Sequence, residues 1–254
     1  AADPFCGFNV GSTVYRANID KNVQADKYVF ESPLLRLVTD FGYRHVYQNG
    51  SDILDPDWTP PPRPDGQPSM GIPPQSIVIY RYYDAGSVLL GDGKAKSIET
   101  YAKGLSELIL KIKGLVCAWE SGDGQNITPD QFRCYLVAHS MGGLVARAFL
   151  QNSNLGKLEA RCSVDKLFTF ATPHNGIDVA GFNVPAWLTA AEANTFSRDR
   201  MTEYLDMGAI ATANEGRVDF MPEDVLASDR IFCMVGTNRG DYEVAQGVVR
   251  AFAG

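Results

Sequence analysis

The 254-residue sequence has few basic residues and no cluster of them. Its 23 Lys and Arg are outnumbered by 30 Asp and Glu, which gives a formal net charge of −7. A nucleic-acid-binding surface needs clustered cations to neutralise phosphates, so the sequence argues against a nucleic-acid partner. It also lacks any run approaching the roughly 20 apolar residues of a membrane-spanning helix. We therefore expect no transmembrane segment.

Metal-binding and cofactor-binding motifs are absent as well. The five cysteines, at positions 6, 117, 134, 162 and 233, are odd in number and include no C-x-x-C pair, so neither a zinc site nor a disulfide framework is predicted. Cys134 and Cys233 lie in apolar runs and are expected to be buried. The glycines at 91 and 93 lack the spacing of a dinucleotide fingerprint. We therefore expect no cofactor. The odd number of cysteines leaves at least one free thiol, which favours a cytoplasmic over a secreted location.

Short apolar strands alternate with amphipathic helices along the chain. Strands are predicted at 76–83, 134–138, 166–171 and 231–235, and helices at 32–42, 98–115 and 142–151. This alternation is typical of right-handed βαβ units, which predicts an α/β fold with a mainly parallel sheet covered by helices on both faces. The proline-rich segment 55–74 is expected to be an extended surface loop. The 45% of hydrophobic residues are enough for a large core. No internal stretch resembles a linker, so one domain spanning 1–254 is expected.

The residues at 138–143, AHSMGG, join a predicted strand directly to a predicted helix. This context predicts a nucleophile elbow, a sharp turn that points the Ser140 hydroxyl outward while small neighbours keep the strand and the helix apart. Gly142 supplies the small residue two positions after Ser140, and Ala138 replaces the usual glycine two positions before it. The positive end of the helix and the Met141 N–H would stabilise a developing oxyanion. An ordinary surface turn is the alternative.

The two motifs AHSMGG at 138–143 and TPHNG at 172–176 resemble those of the bacterial lipase and esterase group of the α/β-hydrolase superfamily. The resemblance implies an α/β-hydrolase fold, here without its last strand, and a lid or cap insertion formed by residues 176–230. An apolar lid implies small-molecule or lipid ester substrates with a hydrophobic part.

A serine hydrolase of this fold also needs an acid and a histidine base, in the order Ser, acid, His. The three histidines are His45, His139 and His174, and the family would place the base after the last predicted strand, so no base is found in this chain. His139 and His174 are expected to be structural. Asp241 is the candidate acid, and the Phe8 N–H is the candidate second donor of the oxyanion hole.

Three functions remain open on the sequence. The first is a carboxylic ester hydrolase that forms an acyl-enzyme on Ser140, with a histidine supplied from outside residues 1–254. The second is a binding protein that keeps the elbow but lacks the triad. The third is acyl transfer, or thioester or peptide cleavage, on the same scaffold. The sequence indicates no oligomeric state.

Overall fold

The computed structural model describes eleven stretches of the chain. They are residues 13–16, 26–29, 31–46, 53–55, 58–60, 62–63, 66–80, 82, 96–120, 126–176 and 195–235. The described residues up to 80, together with those of 110–132, form one compact unit, and those of 82–109 and 133–235 form the other. The expectation of a single domain over 1–254 remains a prediction.

Two strand pairs and one complete helix are found among the described residues of the first unit. Strands β1 (Thr13–Arg16) and β2 (Asp26–Val29) pair antiparallel, helix α1 spans Glu31–Phe41, and strands β3 (Arg44–His45) and β4 (Ser76–Ile77) pair in parallel. Helix α1 lies close to the helix predicted at 32–42, and it ends before Gly42, whose φ of 69° favours glycine. Within the described residues, the strand predicted at 76–83 is paired over Ser76–Ile77.

The proline-rich segment is not simply a surface loop, so that expectation was partly wrong. Ile72 is fully buried and Trp58 nearly so, and the Trp58 indole N–H donates to the Val46 carbonyl at 3.1 Å. Ile72 N donates to the Leu115 carbonyl at 3.1 Å. A Cβ on Gly71 would lie 2.1 Å from that carbonyl oxygen, so only glycine allows the approach. Trp58 and Ile72 therefore belong to the core, although the proline content of the segment predicted a loop, whereas Met70 is exposed.

The second unit contains a parallel three-stranded sheet and the helices around it. Strands β5 (Cys134–His139), β6 (Val164–Phe170) and β7 (Ile231–Met234) pair in that order. The helices are α3 (Met141–Gln151), α4 (Leu158–Cys162), α5 (Arg198–Tyr204) and α6 (Gly208–Ala213). Helix α2 (Ile98–Cys117) contributes residues 98–109 to this unit and 110–117 to the first. Parallel sheets flanked by helices define an α/β fold, as predicted.

We expected the apolar face of α2 at Ile98, Ala102, Leu105, Leu108, Ile109, Ile112 and Leu115. The hydrophobic residues of α2 that are buried in this unit are Ile98, Tyr101, Ala102, Leu105, Leu108 and Ile109. They recur three and four positions apart, which places them along one stripe of the helix. The position of the stripe was therefore readable from the sequence.

The sheet is less enclosed than the sequence predicted. Tyr135 and Val137 on β5 are 55% and 56% exposed, and Cys233 on β7 is also exposed. The expectation that Cys233 is buried was wrong, whereas Cys134 is half-buried and burial raises the pKa of its thiol to about 12. Short β-branched and aromatic runs suit a half-exposed strand as well as a buried one, so the pattern could not decide between them.

The part of the predicted lid that the structure describes, residues 195–230, is built into the core of this unit. The described residues 195–230 carry α5 and α6, and their buried side chains include Phe196, Met201, Tyr204, Leu205, Met207, Val218 and Leu226. Residues 177–194 lie outside the described ones. The lid over 176–230 therefore remains a prediction. Its described residues 195–230 pack into the core.

Candidate active site

Ser140 occupies a sharp turn between β5 and α3. The strand ends at His139, the helix begins at Met141, and Ser140 between them has φ 52° and ψ −124°. A positive φ is uncommon for a residue with a side chain because Cβ meets the backbone there. Strained backbone of this kind clusters at functional sites. The strand, turn and helix predicted for 134–151 are thus present, with the strained residue at the serine.

The Ser140 side chain takes no part in capping the helix that follows it. The residue stands at the N-cap position of α3, where a serine hydroxyl commonly accepts a bond from a first-turn N–H, yet it makes no such bond. The residue is half-buried. The hydroxyl therefore leaves the first-turn N–H groups of α3 to other acceptors, and these groups carry the positive end of the helix dipole.

The neighbouring strand β6 and the residues after it hold the main chain of Ser140. Its N–H donates to the Phe170 carbonyl at 2.9 Å. Its carbonyl accepts from Gly143 N at 3.1 Å and from the Thr172 hydroxyl at 3.0 Å. The parallel register pairs His139 with Phe170, which brings TPHNG beside the elbow. Both motifs could be recognised in the sequence, but the contact between Thr172 and Ser140 could not be predicted from it.

Of the two glycines at the start of α3, Gly143 lies closest to neighbouring residues, whereas we expected the small residue to be needed at Gly142. A Cβ on Gly143 would lie 2.2 Å from Thr172 Oγ1 and 2.5 Å from Thr172 Cγ2. A Cβ on Gly142 would lie 3.4 Å from Tyr82 Oη and 3.7 Å from Ala138 Cβ, which are ordinary contacts. Because these contacts are not crowded, the methyl group of Ala138 also fits beside Gly142.

His174 is engaged away from the elbow. Its Nε2 lies 3.0 Å from Thr169 Oγ1 and 3.6 Å from Cys233 Sγ, so the ring contacts β6 and β7. Burial, reinforced by the positive charge of Arg147, lowers the pKa of His174 to about 4. Burial also lowers the pKa of His139. Both rings are thus biased toward the neutral form.

Arg147 on α3 connects the elbow helix to the later part of the chain. Its guanidinium is almost fully buried and donates to the carbonyls of His174 (2.9 Å), Val218 (2.6 Å) and Phe220 (2.7 Å). It also donates to Gln151 Oε1 at 2.9 Å. Burial lowers the pKa of Arg147 to about 10. This role of Arg147 could not be predicted, because an arginine within an amphipathic helix normally lies at the surface.

A second set of contacts fixes the same later segment. The Asn175 side chain accepts from Val218 N at 3.0 Å, and its carbonyl accepts from Arg198 Nε at 3.1 Å. The Asn152 side chain donates to the Tyr204 carbonyl at 3.2 Å. Residues 198–218 are therefore anchored to α3 and to the TPHNG motif at several points.

Two predicted site residues lie outside the described part of the chain. Phe8, the candidate second oxyanion donor, and Asp241, the candidate acid, lie outside the described residues and remain predictions. In the part of the chain that the structure describes, no three His, Cys, Asp or Glu side chains are grouped so as to hold a metal ion. None of the described helices combines the length and the apolar character that crossing a membrane requires.

The parallel sheet, the helices beside it and the turn at Ser140 are those of an α/β-hydrolase-type protein. A family model described as PGAP1-like alpha/beta domain matches residues 93–230. The match covers more than half of the chain and includes both AHSMGG and TPHNG, so the chain belongs to this family. Searches of curated proteins and of solved structures found no match. The narrower resemblance to bacterial lipases remains a prediction.

Proposed function

We propose that the protein is a serine hydrolase that cleaves carboxylic esters through an acyl-enzyme on Ser140. The observation that carries the proposal is the strained turn at Ser140, which sets a half-buried serine between β5 and the N-terminus of α3 without using its hydroxyl as a helix cap. Membership of an α/β-hydrolase-type family supports the same reaction.

The chemistry follows from the geometry of the turn. Ser140 Oγ forms a bond to the ester carbonyl carbon while its proton passes to a general base, which in this fold is a histidine. The Met141 N–H, at the positive end of α3, donates to the oxyanion. The ester C–O bond then breaks, the alcohol leaves with the proton, and water releases the acid from Ser140.

Within this reaction we propose that the substrates are esters with a hydrophobic part. The support is the resemblance of AHSMGG and TPHNG to the motifs of lipases and esterases. The described residues 195–230 bury most of their large apolar side chains in the core. We therefore expect other residues to form the surface that binds the acyl group.

The test is hydrolysis of p-nitrophenyl esters by the protein expressed from its complete reading frame. Acetyl, octanoyl and palmitoyl esters, with matching thioesters, are compared for the parent, Ser140→Ala and the control Ser153→Ala. We expect activity in the parent and in Ser153→Ala, and a loss of about a thousandfold or more in Ser140→Ala. A preference for octanoyl over acetyl ester would support the substrate class. Equal rates for Ser140→Ala and the parent would refute the proposal, and binding of esters without turnover would favour a binding protein.

A further inference from the structure

We propose that Thr172 is a positioning residue that fixes both the nucleophile and the oxyanion donor. It does so through one hydrogen bond, from its hydroxyl to the carbonyl oxygen of Ser140 at 3.0 Å. The catalytic part of this inference rests on the proposed function of Ser140, whereas the hydrogen bond and its effect on the backbone do not.

The first step is that β6 and the residues after it hold Ser140 on both sides. The Phe170 carbonyl accepts from Ser140 N at 2.9 Å, and the Thr172 hydroxyl donates to Ser140 O. Ser140 has φ 52°, a conformation that an L-residue leaves when nothing opposes its relaxation. Strained residues persist only where their surroundings over-determine them. The two bonds from the next strand provide that constraint.

The second step is that a peptide unit is planar. The carbonyl of Ser140 and the N–H of Met141 belong to one peptide group, in which they point in opposite directions and cannot rotate independently. A hydrogen bond that fixes the Ser140 carbonyl therefore also fixes the direction of the Met141 N–H. That N–H is the donor we propose for the oxyanion, so Thr172 orients it without contacting the substrate.

The third step is that the local structure is adapted to bring Thr172 to this place. Gly143 leaves the space that Thr172 fills, since a Cβ there would lie 2.2 Å from Thr172 Oγ1. Ala171, directly before Thr172, has φ 49° although it is not glycine. Its N–H donates to the Met234 carbonyl of β7 at 2.9 Å. A strained turn at the end of β6 thus directs Thr172 back toward the elbow at the end of β5.

The test compares Thr172→Val, which removes the hydroxyl and keeps the shape, with Thr172→Ser, which keeps the hydroxyl. The control is Thr212→Val, because the exposed Thr212 hydroxyl donates to the Gly208 carbonyl at 2.9 Å in the same manner. The readouts are ester kcat and KM and the limiting rate of labelling by a fluorophosphonate. We expect Thr172→Val to lower kcat and the labelling rate about tenfold or more, with KM within about twofold, because misplaced donors act mainly on the transition state. Thr172→Ser should restore most of the rate, and Thr212→Val should retain it.

Hydrogen exchange of the Ser140 and Gly143 amides provides a readout that needs no activity. Thr172→Val should accelerate exchange at both amides, while Thr172→Ser and Thr212→Val should leave it close to the parent. Unchanged exchange and unchanged labelling in Thr172→Val would overturn the inference, as would equal losses in the Val and Ser variants. If the parent protein neither hydrolyses esters nor reacts with the probe, the proposed function fails. In that case the exchange rates alone still decide whether Thr172 fixes the elbow.

Discussion

Replacing Gly143 by alanine tests the contact between the elbow helix and TPHNG. The added Cβ would lie 2.2 Å from Thr172 Oγ1, 2.5 Å from its Cγ2 and 2.8 Å from its Cβ. Rotating the Thr172 side chain would move the first two atoms and break the bond to Ser140 O, but the contact with Cβ would remain. The main chain at α3 or at Thr172 must therefore shift as well.

The expected loss of stability can be assembled from three effects. Overpacking of this severity costs about 3 kcal/mol, and losing the Thr172 bond to Ser140 adds about 1 kcal/mol. Exchange of glycine for alanine within a helix returns about 1 kcal/mol. We therefore expect Gly143→Ala to lower the free energy of unfolding by about 3 kcal/mol. Gly142→Ala, whose Cβ would meet only ordinary contacts at 3.4 and 3.7 Å, should change it by less than about 1 kcal/mol.

The assay is equilibrium unfolding in urea followed by circular dichroism, with the two variants compared at equal m-values. Because Gly142 and Gly143 are adjacent in α3, the pair controls for helix propensity. Adding Thr172→Gly to Gly143→Ala removes all three contact atoms, so the double variant should lose less than the sum of the single losses. Equal stabilities for Gly142→Ala and Gly143→Ala would refute the assigned contact.

Three further predictions concern stability. Gly114 is exposed in α2 and a Cβ there would meet nothing within 4 Å, so Gly114→Ala should stabilise the protein by about 0.5–1 kcal/mol in the same urea assay. The single ammonium group of a lysine cannot replace the forked guanidinium of Arg147, so Arg147→Lys should lower the free energy of unfolding by about 2 kcal/mol. Arg217→Lys, at an exposed position, should leave it close to that of the parent. Equal urea midpoints for the two variants would contradict this. Burial lowers the pKa of His174 to about 4 in the folded protein, against about 6.5 in the unfolded chain. Below pH 6.5 the unfolded chain therefore binds a proton that the folded protein does not. The free energy of unfolding should be highest above pH 6.5 and fall by up to about 3 kcal/mol as the pH falls toward 4. Thermal unfolding between pH 7 and pH 4.5 should show this slope, and His174→Gln should flatten it.

The elements beside the elbow could be predicted because local patterns determine them. The run CYLVA, the serine turn and the helix starting after Ser140 each carry their own signal, and the observed bounds Cys134–His139 and Met141–Gln151 lie close to the predicted ones. The apolar face of α2 was readable because its residues recur at helical spacing. These features depend on residues only a few positions apart.

The contacts that hold the elbow could not be predicted, because they join distant positions. Thr172 meets Ser140 across 32 residues, and Arg147 meets Val218 across 71. Neither pair has a periodicity that marks it in one sequence. The burial of Ile72 within a proline-rich segment and the exposure of Tyr135 within an apolar strand depend likewise on what packs against each residue.

The central claim is that Ser140 is the nucleophile, and covalent labelling tests it most directly. The protein from the complete reading frame is treated with a fluorophosphonate, in which the serine oxygen displaces fluoride from phosphorus, and the modified peptide is identified by mass spectrometry. The account predicts one adduct on Ser140, none on Ser140→Ala and unchanged labelling of Ser153→Ala. An adduct on another residue, or equal labelling of the parent and Ser140→Ala, would contradict it.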